Sequence, residues 1–299
     1  MLKKRPFEFP GEKAIRVICD TDAYNECDDQ FCVAHLWMTP RFDVKAMIAA
    51  QYGHVMNVQG TEQKSYDELV NLATLMDIRD EVNILHGGVT ALPDENTPVD
   101  SEGARFIIEE AMKDDPRPLF VCFLGPTTEI ASAYLMEPRI ADKLTVVWIG
   151  GGAYPEGNFE FNQGNDINAA RVLYKSNIEL WQVPMNVYTT MKISYFEMMN
   201  KIYPCGKIGK YLVEHAMDFG KQFDQIIASM ADNPAAASMM GGASVSKAAA
   251  ATSFGGELWS LGDSPVVGII VRRTTTRSIQ SLRTAFLSQP FRRFAPPHL

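Results

Sequence analysis

The feature that most constrains what this chain can fold into is an apolar strand that empties into a crowd of carboxylates. Val17-Ile18-Cys19 runs into Asp20-Thr21-Asp22-Ala23-Tyr24-Asn25-Glu26-Cys27-Asp28-Asp29, which places five carboxylates within ten residues. A helix is predicted to start at Asp28, because Phe31, Ala34, His35 and Met38 recur at helical spacing. In open α/β sheets ligands bind beyond the carboxyl ends of the strands, which is where a loop of this kind lies. Carboxylates this dense repel one another and cost stability unless a proton or a cation resolves the conflict. A hard divalent metal such as Ca²⁺ or Mg²⁺ suits an all-oxygen donor set. An acidic turn that only caps a helix would need one or two of these residues.

The rest of the chain supplies the sheet that such a loop requires. Apolar runs at Ile15–Cys19, Val44–Ala50, Val82–Leu85, Leu119–Leu124, Leu144–Ile149 and Leu180–Val183 are predicted to be strands buried on both faces. Helical patterns separate them: Tyr66, Leu69, Val70 and Ala73; Phe106, Ile107, Ala111 and Met112; Ile130, Ala131, Ala133 and Tyr134; Ala169, Val172 and Leu173. Alternation of this kind predicts an α/β fold with a mostly parallel central sheet flanked by helices. With 46% hydrophobic residues and no linker-like tract or internal repeat, 299 residues are expected to form one domain over 1–271. Residues 272–299 are rich in arginine, contain no acidic residue and read as an atypical basic C-terminal tail.

A formal net charge of -8 argues against nucleic acid as a partner. No apolar segment follows the basic start Lys3-Lys4-Arg5, and no run of eighteen apolar residues occurs, so neither a secretory signal nor a membrane span is expected. Five cysteines without metal-site or disulfide spacing fit reduced thiols and a cytoplasmic location.

Three further strand ends are polar. Leu124-Gly125-Pro126-Thr127-Thr128-Glu129 joins a strand to a helix through a tight turn that can aim carbonyl oxygens, good Ca²⁺ ligands, into a site. Ile149-Gly150-Gly151-Gly152 is followed by Asn158, Glu160 and Asn162, which share one side if that stretch is extended and would suit sugar hydroxyls. Asp263 stands alone between apolar runs as a remote candidate ligand. His35 and His215 read as ordinary surface or core histidines, and Trp37, Trp148 and Trp181 as core. Tyr52 and Trp259, each close to a proposed site residue, are candidates to face a bound base.

Taken in order, these clusters resemble the inosine–uridine-preferring nucleoside hydrolase family. The resemblance rests on Asp20, Asp22, Asp28 and Asp29; on Gly125, Pro126 and Thr128; on Gly150–Gly152, Asn158, Glu160, Phe161, Asn162 and Asp166; and on Asp263. It implies a single Rossmann-like α/β domain, a homo-oligomer (dimer or tetramer), and Ca²⁺-dependent hydrolysis of ribonucleosides to ribose and base. The ion would be held by Asp22, Asp29, the Thr128 carbonyl and Asp263, with the ribose 2′- and 3′-hydroxyls and a water completing its shell. Asp22 would also be the general base, Asp28 would bind the 2′-hydroxyl, and Asn158, Glu160 and Asn162 would hold the rest of the ribose. N-glycoside cleavage passes through a cationic sugar that surrounding carboxylates stabilise.

The chain departs from the family pattern in four places. Its first loop is two residues longer, with Ala23–Cys27 between Asp22 and Asp28, so Asn25 and Glu26 could reshape the pocket. His54 stands where the family has Asn and is the candidate leaving-group acid, with Tyr24 and Glu26 next. Gly262 replaces a residue that is often His, and 272–299 is unlike the family's C-terminal strand and helix and shorter than them. Two other readings compete. A haloacid-dehalogenase-like phosphohydrolase also opens strand-Asp-x-Asp, but it would want a further acid within Ser264–Val271, where there is none. A non-catalytic ribose-binding relative would keep the metal site without turnover.

Overall fold

The computed structural model describes residues 10–231, 258–263, 266 and 269–270. The six apolar runs form the strands β1 (Ile15–Thr21), β2 (Phe42–Ala49), β3 (Ile84–His86), β4 (Leu119–Phe123), β5 (Thr145–Ile149) and β6 (Glu179–Val183). They make one six-stranded sheet in the order β3-β2-β1-β4-β5-β6, every neighbouring pair parallel. Parallel strands need crossovers, and these are α1 (Asp29–Met38), α2 (Thr61–Leu75), α3 (Glu102–Ala111), α4 (Thr128–Met136), and the pair α5 (Phe161–Asn165) and α6 (Ile167–Lys175).

Strand alternation divides the core in two. Ile15, Val17 and Cys19 of β1 pack with α1, α2 and the later helix α9 (Gly206–Ala231), while Ile18 packs on the other face with α3, α4 and α6. Trp148 is fully buried in that second layer. Each large side chain so enclosed contributes about 1.5–3 kcal/mol relative to exposure. Arg16, also on the second face, is buried against Glu110 at 3.1 Å, at the end of β1 away from its acidic loop.

Burial on both faces holds for β1, β4 and most of β5, but not for β3 or β6. Among the described residues these are the sheet edges, with no neighbouring strand on one flank, and Trp181 on β6 is accordingly only half-buried. In α1 the residues His35 and Met38 of the predicted helical stripe are exposed, and the helix instead buries Phe31 to Ala34, Leu36 and Trp37. A helix wedged between the sheet and α9 is covered on more than one side, which widens its buried face beyond a single stripe.

After β6 come α7 (Met185–Tyr188), β7 (Lys192–Ser194), α8 (Tyr195–Glu197) and α9. A short antiparallel ladder pairs β7 with β8 (Leu258–Ser260), Ile193 opposite Trp259. This ladder delivers Gly262 and Asp263 to the carboxyl edge of the main sheet. Among the described residues, no helix is long and apolar enough to cross a membrane. The 272–299 tail lies outside the described residues.

Candidate active site

The strand order reverses direction between β1 and β4, and there the carboxyl ends of two adjacent strands diverge into loops on opposite faces. That is the switch point at which doubly wound sheets bind ligands. A cleft of about 360 Å³, its mouth included, opens there. It is lined by Asp22, Asn25, Glu26, Asp28 and Asp29 from the first loop, by Leu124 and Ile149 from the ends of β4 and β5, and by Glu160, Phe161, Asn162, Tyr188 and Asp263.

The first loop is held in place from beneath. Asn25 N–H donates to the Asp22 carbonyl at 2.8 Å, closing a turn. Gln30, fully buried in α1, donates its amide to the carbonyls of Ala23 and Glu26 and meets His215 Nε2 at 3.2 Å. His215 in turn stacks on Tyr211, whose hydroxyl donates to Glu68. The two added residues of the loop are therefore anchored by α1, α2 and α9. Cys27 is buried within it.

Asp28, the residue before α1, accepts from the backbone N–H groups of Gly262 and Asp263, tying the first loop to the returning segment after β8. One oxygen each of Asp28, Asp29 and Asp263 lie within 4.8 Å of one another. Thr21 Oγ1 donates to Asp29, and the Asp29 and Asp263 carboxyls hydrogen-bond each other. Burial and then the neighbouring Asp28 push Asp29 up to about 7. Enclosure raises Asp28 to about 6, against the opposing pull of its backbone donors. Asp263 is pushed well above the carboxylate range by burial and by Asp29 and Asp28.

Asp22 is 2% exposed and lifted by burial and by Asp29; its Oδ2 has no hydrogen-bond partner among the described residues. The Gly125 turn makes room for it, since a Cβ at Gly125 would stand 2.8 Å from Asp22 Oδ1. Outside the cleft lining, the buried carboxyls of Asp20 and Glu129 hydrogen-bond each other, Asp20 taking the proton, and burial pushes Glu129 to about 7. A buried carboxylate without donors costs several kcal/mol unless it takes up a proton or meets a cation. The donor set of the cleft is all oxygen and convergent, with Asp22 Oδ2 unpartnered among the described residues, and it fits a hard divalent ion.

Most of the residues predicted for the site meet in this cleft. Asp22, Asp28, Asp29, Asp263, Glu160 and Asn162 line it. The tight trio contains Asp28 where the resemblance puts Asp22, and Thr128 is not part of the cleft lining. Thr128 instead gives its hydroxyl to Asp166 Oδ2 at 2.8 Å, and Asp166 also caps α6 through Ala169 N–H. Asn158, Glu160 and Asn162 do not share one side, because Glu160 caps α5 and Asn162 already lies in that helix. Asn158 is exposed and outside the cleft lining. Asn162 donates to the carbonyls of Leu124 and Ile149 at 2.7 and 2.9 Å, clamping the ends of β4 and β5.

His54 is exposed and outside the cleft lining. Tyr52 is buried and does not line the cleft. The side chain of Trp259 lies outside the described residues, although its backbone pairs in β8. Sequence reasoning missed Tyr188, which lines the cleft from α7 and donates to Glu160 at 3.0 Å. Its signal was its place, five residues beyond a strand end at Val183.

The family model of the inosine-uridine preferring nucleoside hydrolases matches residues 17–257. The chain is 35% identical over 111 residues to the inosine-uridine preferring nucleoside hydrolase of Crithidia fasciculata, a stretch covering 34% of this chain and 34% of that protein. It is 26% identical over 220 residues to the non-specific ribonucleoside hydrolase RihC of Salmonella enteritidis, covering 67% of this chain and 70% of that one. The match to the Crithidia protein thus spans about a third of that relative's length. In structure the chain is similar to a purine-preferring ribonucleoside hydrolase from Gardnerella vaginalis, with a TM-score of 0.62 at 19% identity over 87% of this chain and 80% of the other, a likeness of fold.

Proposed function

Since the chain belongs to the inosine-uridine preferring nucleoside hydrolase family, we propose that it hydrolyses the N-glycosidic bond of ribonucleosides to give ribose and a free base. The observation that carries this reading is the meeting of Asp28, Asp29 and Asp263 oxygens within 4.8 Å in a cleft at the sheet's switch point. A haloacid-dehalogenase-like phosphohydrolase would also gather carboxylates around a cation, but it has no role for the adjacent Asp28-Asp29 pair, and the family match favours the nucleoside hydrolase. Asp22, Asp29 and Asp263, with the Thr128 carbonyl, would hold a divalent cation that we take to be Ca²⁺. When bound, the ion would lower the pKa of a coordinated water and bind vicinal hydroxyls.

The remaining chemistry falls to the chain's own groups. Asp22 Oδ2, which has no hydrogen-bond partner among the described residues, would accept the proton of the attacking water. Asp28 binds the 2′-hydroxyl. The carboxylates around the cleft favour the positive charge that develops on the sugar as the bond to the base breaks. Asn25 and Glu26 on the lengthened loop reach the cleft and would touch the leaving base. His54 is proposed to protonate that base, which requires the 53–58 turn to bring it over the cleft. The protein would act in the cytoplasm as a homo-oligomer.

Release of reducing sugar from a panel of purine and pyrimidine ribonucleosides, with and without added Ca²⁺, tests the reading. Sugar release that a chelator abolishes and Ca²⁺ restores is expected. Tight binding of ribosides with no release would instead assign a non-catalytic ribose-binding role.

A further inference from the structure

Glu160 is 2% exposed, and its two oxygens meet four donors. Gly151 N–H and Gln163 N–H reach Oε2 at 2.7 and 2.9 Å, while Asn162 N–H and the Tyr188 hydroxyl reach Oε1 at 3.1 and 3.0 Å. An ionised carboxylate offers about four acceptor positions, so the protein itself uses them all. Three donors are backbone amides locked by the Gly-rich turn and the start of α5. The fourth is a side chain on the short helix α7, in the wall of the cleft. Its seat depends on Gly262: a Cβ there would stand 3.1 Å from Tyr188 Cδ2 and 3.0 Å from Asp28 Oδ2. The missing side chain at 262 is what lets the tyrosine ring lie where it does.

With Asp28 on the 2′-hydroxyl and the cation on the 2′- and 3′-hydroxyls, the hydroxyl left for Glu160 is the one on C5′. Tyr188 already makes the O–H···O⁻ bond that this group would make. We propose that Tyr188 stands in for the substrate's 5′-hydroxyl at Glu160, so that the cleft selects ribosides without a hydroxyl on C5′, the 5′-deoxyribosides. An incoming 5′-hydroxyl finds the acceptor positions of Glu160 filled, so it must either displace the tyrosine or settle for the neutral phenolic oxygen, a weaker acceptor than a carboxylate. A 5′-methyl group brings no donor to satisfy. This inference rests on the nucleoside hydrolase reading above.

The test uses p-nitrophenyl β-D-ribofuranoside and its 5-deoxy counterpart, which need no help in releasing the leaving group, with the wild-type chain and Tyr188→Phe in added Ca²⁺. Wild-type kcat/KM should be higher on the 5-deoxy substrate. Tyr188→Phe frees one acceptor position on a charged group, so its preference should swing toward the hydroxylated substrate by about tenfold or more. A wild-type preference of tenfold for the hydroxylated riboside overturns the inference, whether or not the variant folds. So does an equal loss on both substrates in the variant, which would make Tyr188 a structural prop. If neither protein cleaves either riboside, the hydrolase reading falls and takes the inference with it, an outcome distinct from a wrong preference.

Discussion

Asp22 occupies the most consequential position of any single residue in the cleft. It is buried, one of its oxygens has no partner among the described residues, and it packs where only a glycine at 125 leaves it room. Asp22→Asn keeps the shape and removes the proton acceptor. Turnover should fall by about 10² to 10⁴ while the melting temperature changes little in the chelated protein; a variant with near-normal kcat would move the base elsewhere. His54 makes a more discriminating case, because it is exposed and outside the cleft wall. If it protonates the departing base, His54→Ala should slow nucleoside hydrolysis by roughly 10²-fold and spare p-nitrophenyl riboside, whose leaving group is stable as an anion. Parallel kinetics on the two substrates decide the matter, since equal losses would mean that His54 binds sugar.

Among the elements, the lengthened first loop depends on neighbours distant in sequence. Gln30 holds two of its carbonyls, and His215 and Tyr211 of α9 back that glutamine. Gln30→Leu removes those donors from a fully buried position and strands the carbonyls. Urea unfolding should register a loss of about 1–3 kcal/mol, accompanied by a raised KM as Asn25 and Glu26 shift. An unchanged midpoint together with unchanged kinetics would show that the loop holds its shape without the brace. The β7–β8 ladder is the other decisive element among the described residues, since it leads into Gly262 and returns Asp263 to within reach of Asp28 and Asp29.

For the whole molecule, the crowded carboxylates make stability depend jointly on pH and on a cation. Asp28 and Asp29 titrate near 6 and 7 in the folded protein, above the values near 4 expected of an unfolded chain. The folded state therefore binds more protons, and its stability falls as pH rises through that range. In chelator, the melting temperature should decline between about pH 5 and 8, as the protons that relieve the repulsion leave. Added Ca²⁺ should raise it, and by more at pH 8 than at pH 5, because a cation bound only by the folded state stabilises by mass action and competes with protons. Differential scanning fluorimetry across that window, with and without Ca²⁺, measures both trends. Melting indifferent to chelator at pH 8 would rule out the metal site.

The sequence by itself determined the six strands, the parallel α/β class and the acidic loop. Those signals are local: apolar runs such as Val17–Cys19 and Leu119–Leu124, and carboxylates such as Asp22, Asp28 and Asp29 spaced along one segment. It also singled out Asp263, because a lone acid between apolar runs needs a reason to be buried. Only the tertiary structure decided the partners. It set Asp28 rather than Asp22 in the closest trio with Asp263, gave the Thr128 hydroxyl to Asp166, and turned Asn162 into a clamp between two strand ends. It also brought Tyr188 over Gly262 onto Glu160. Each of these depends on distances between segments far apart in the chain, set by strand order and helix packing, and a one-dimensional pattern carries no such distances.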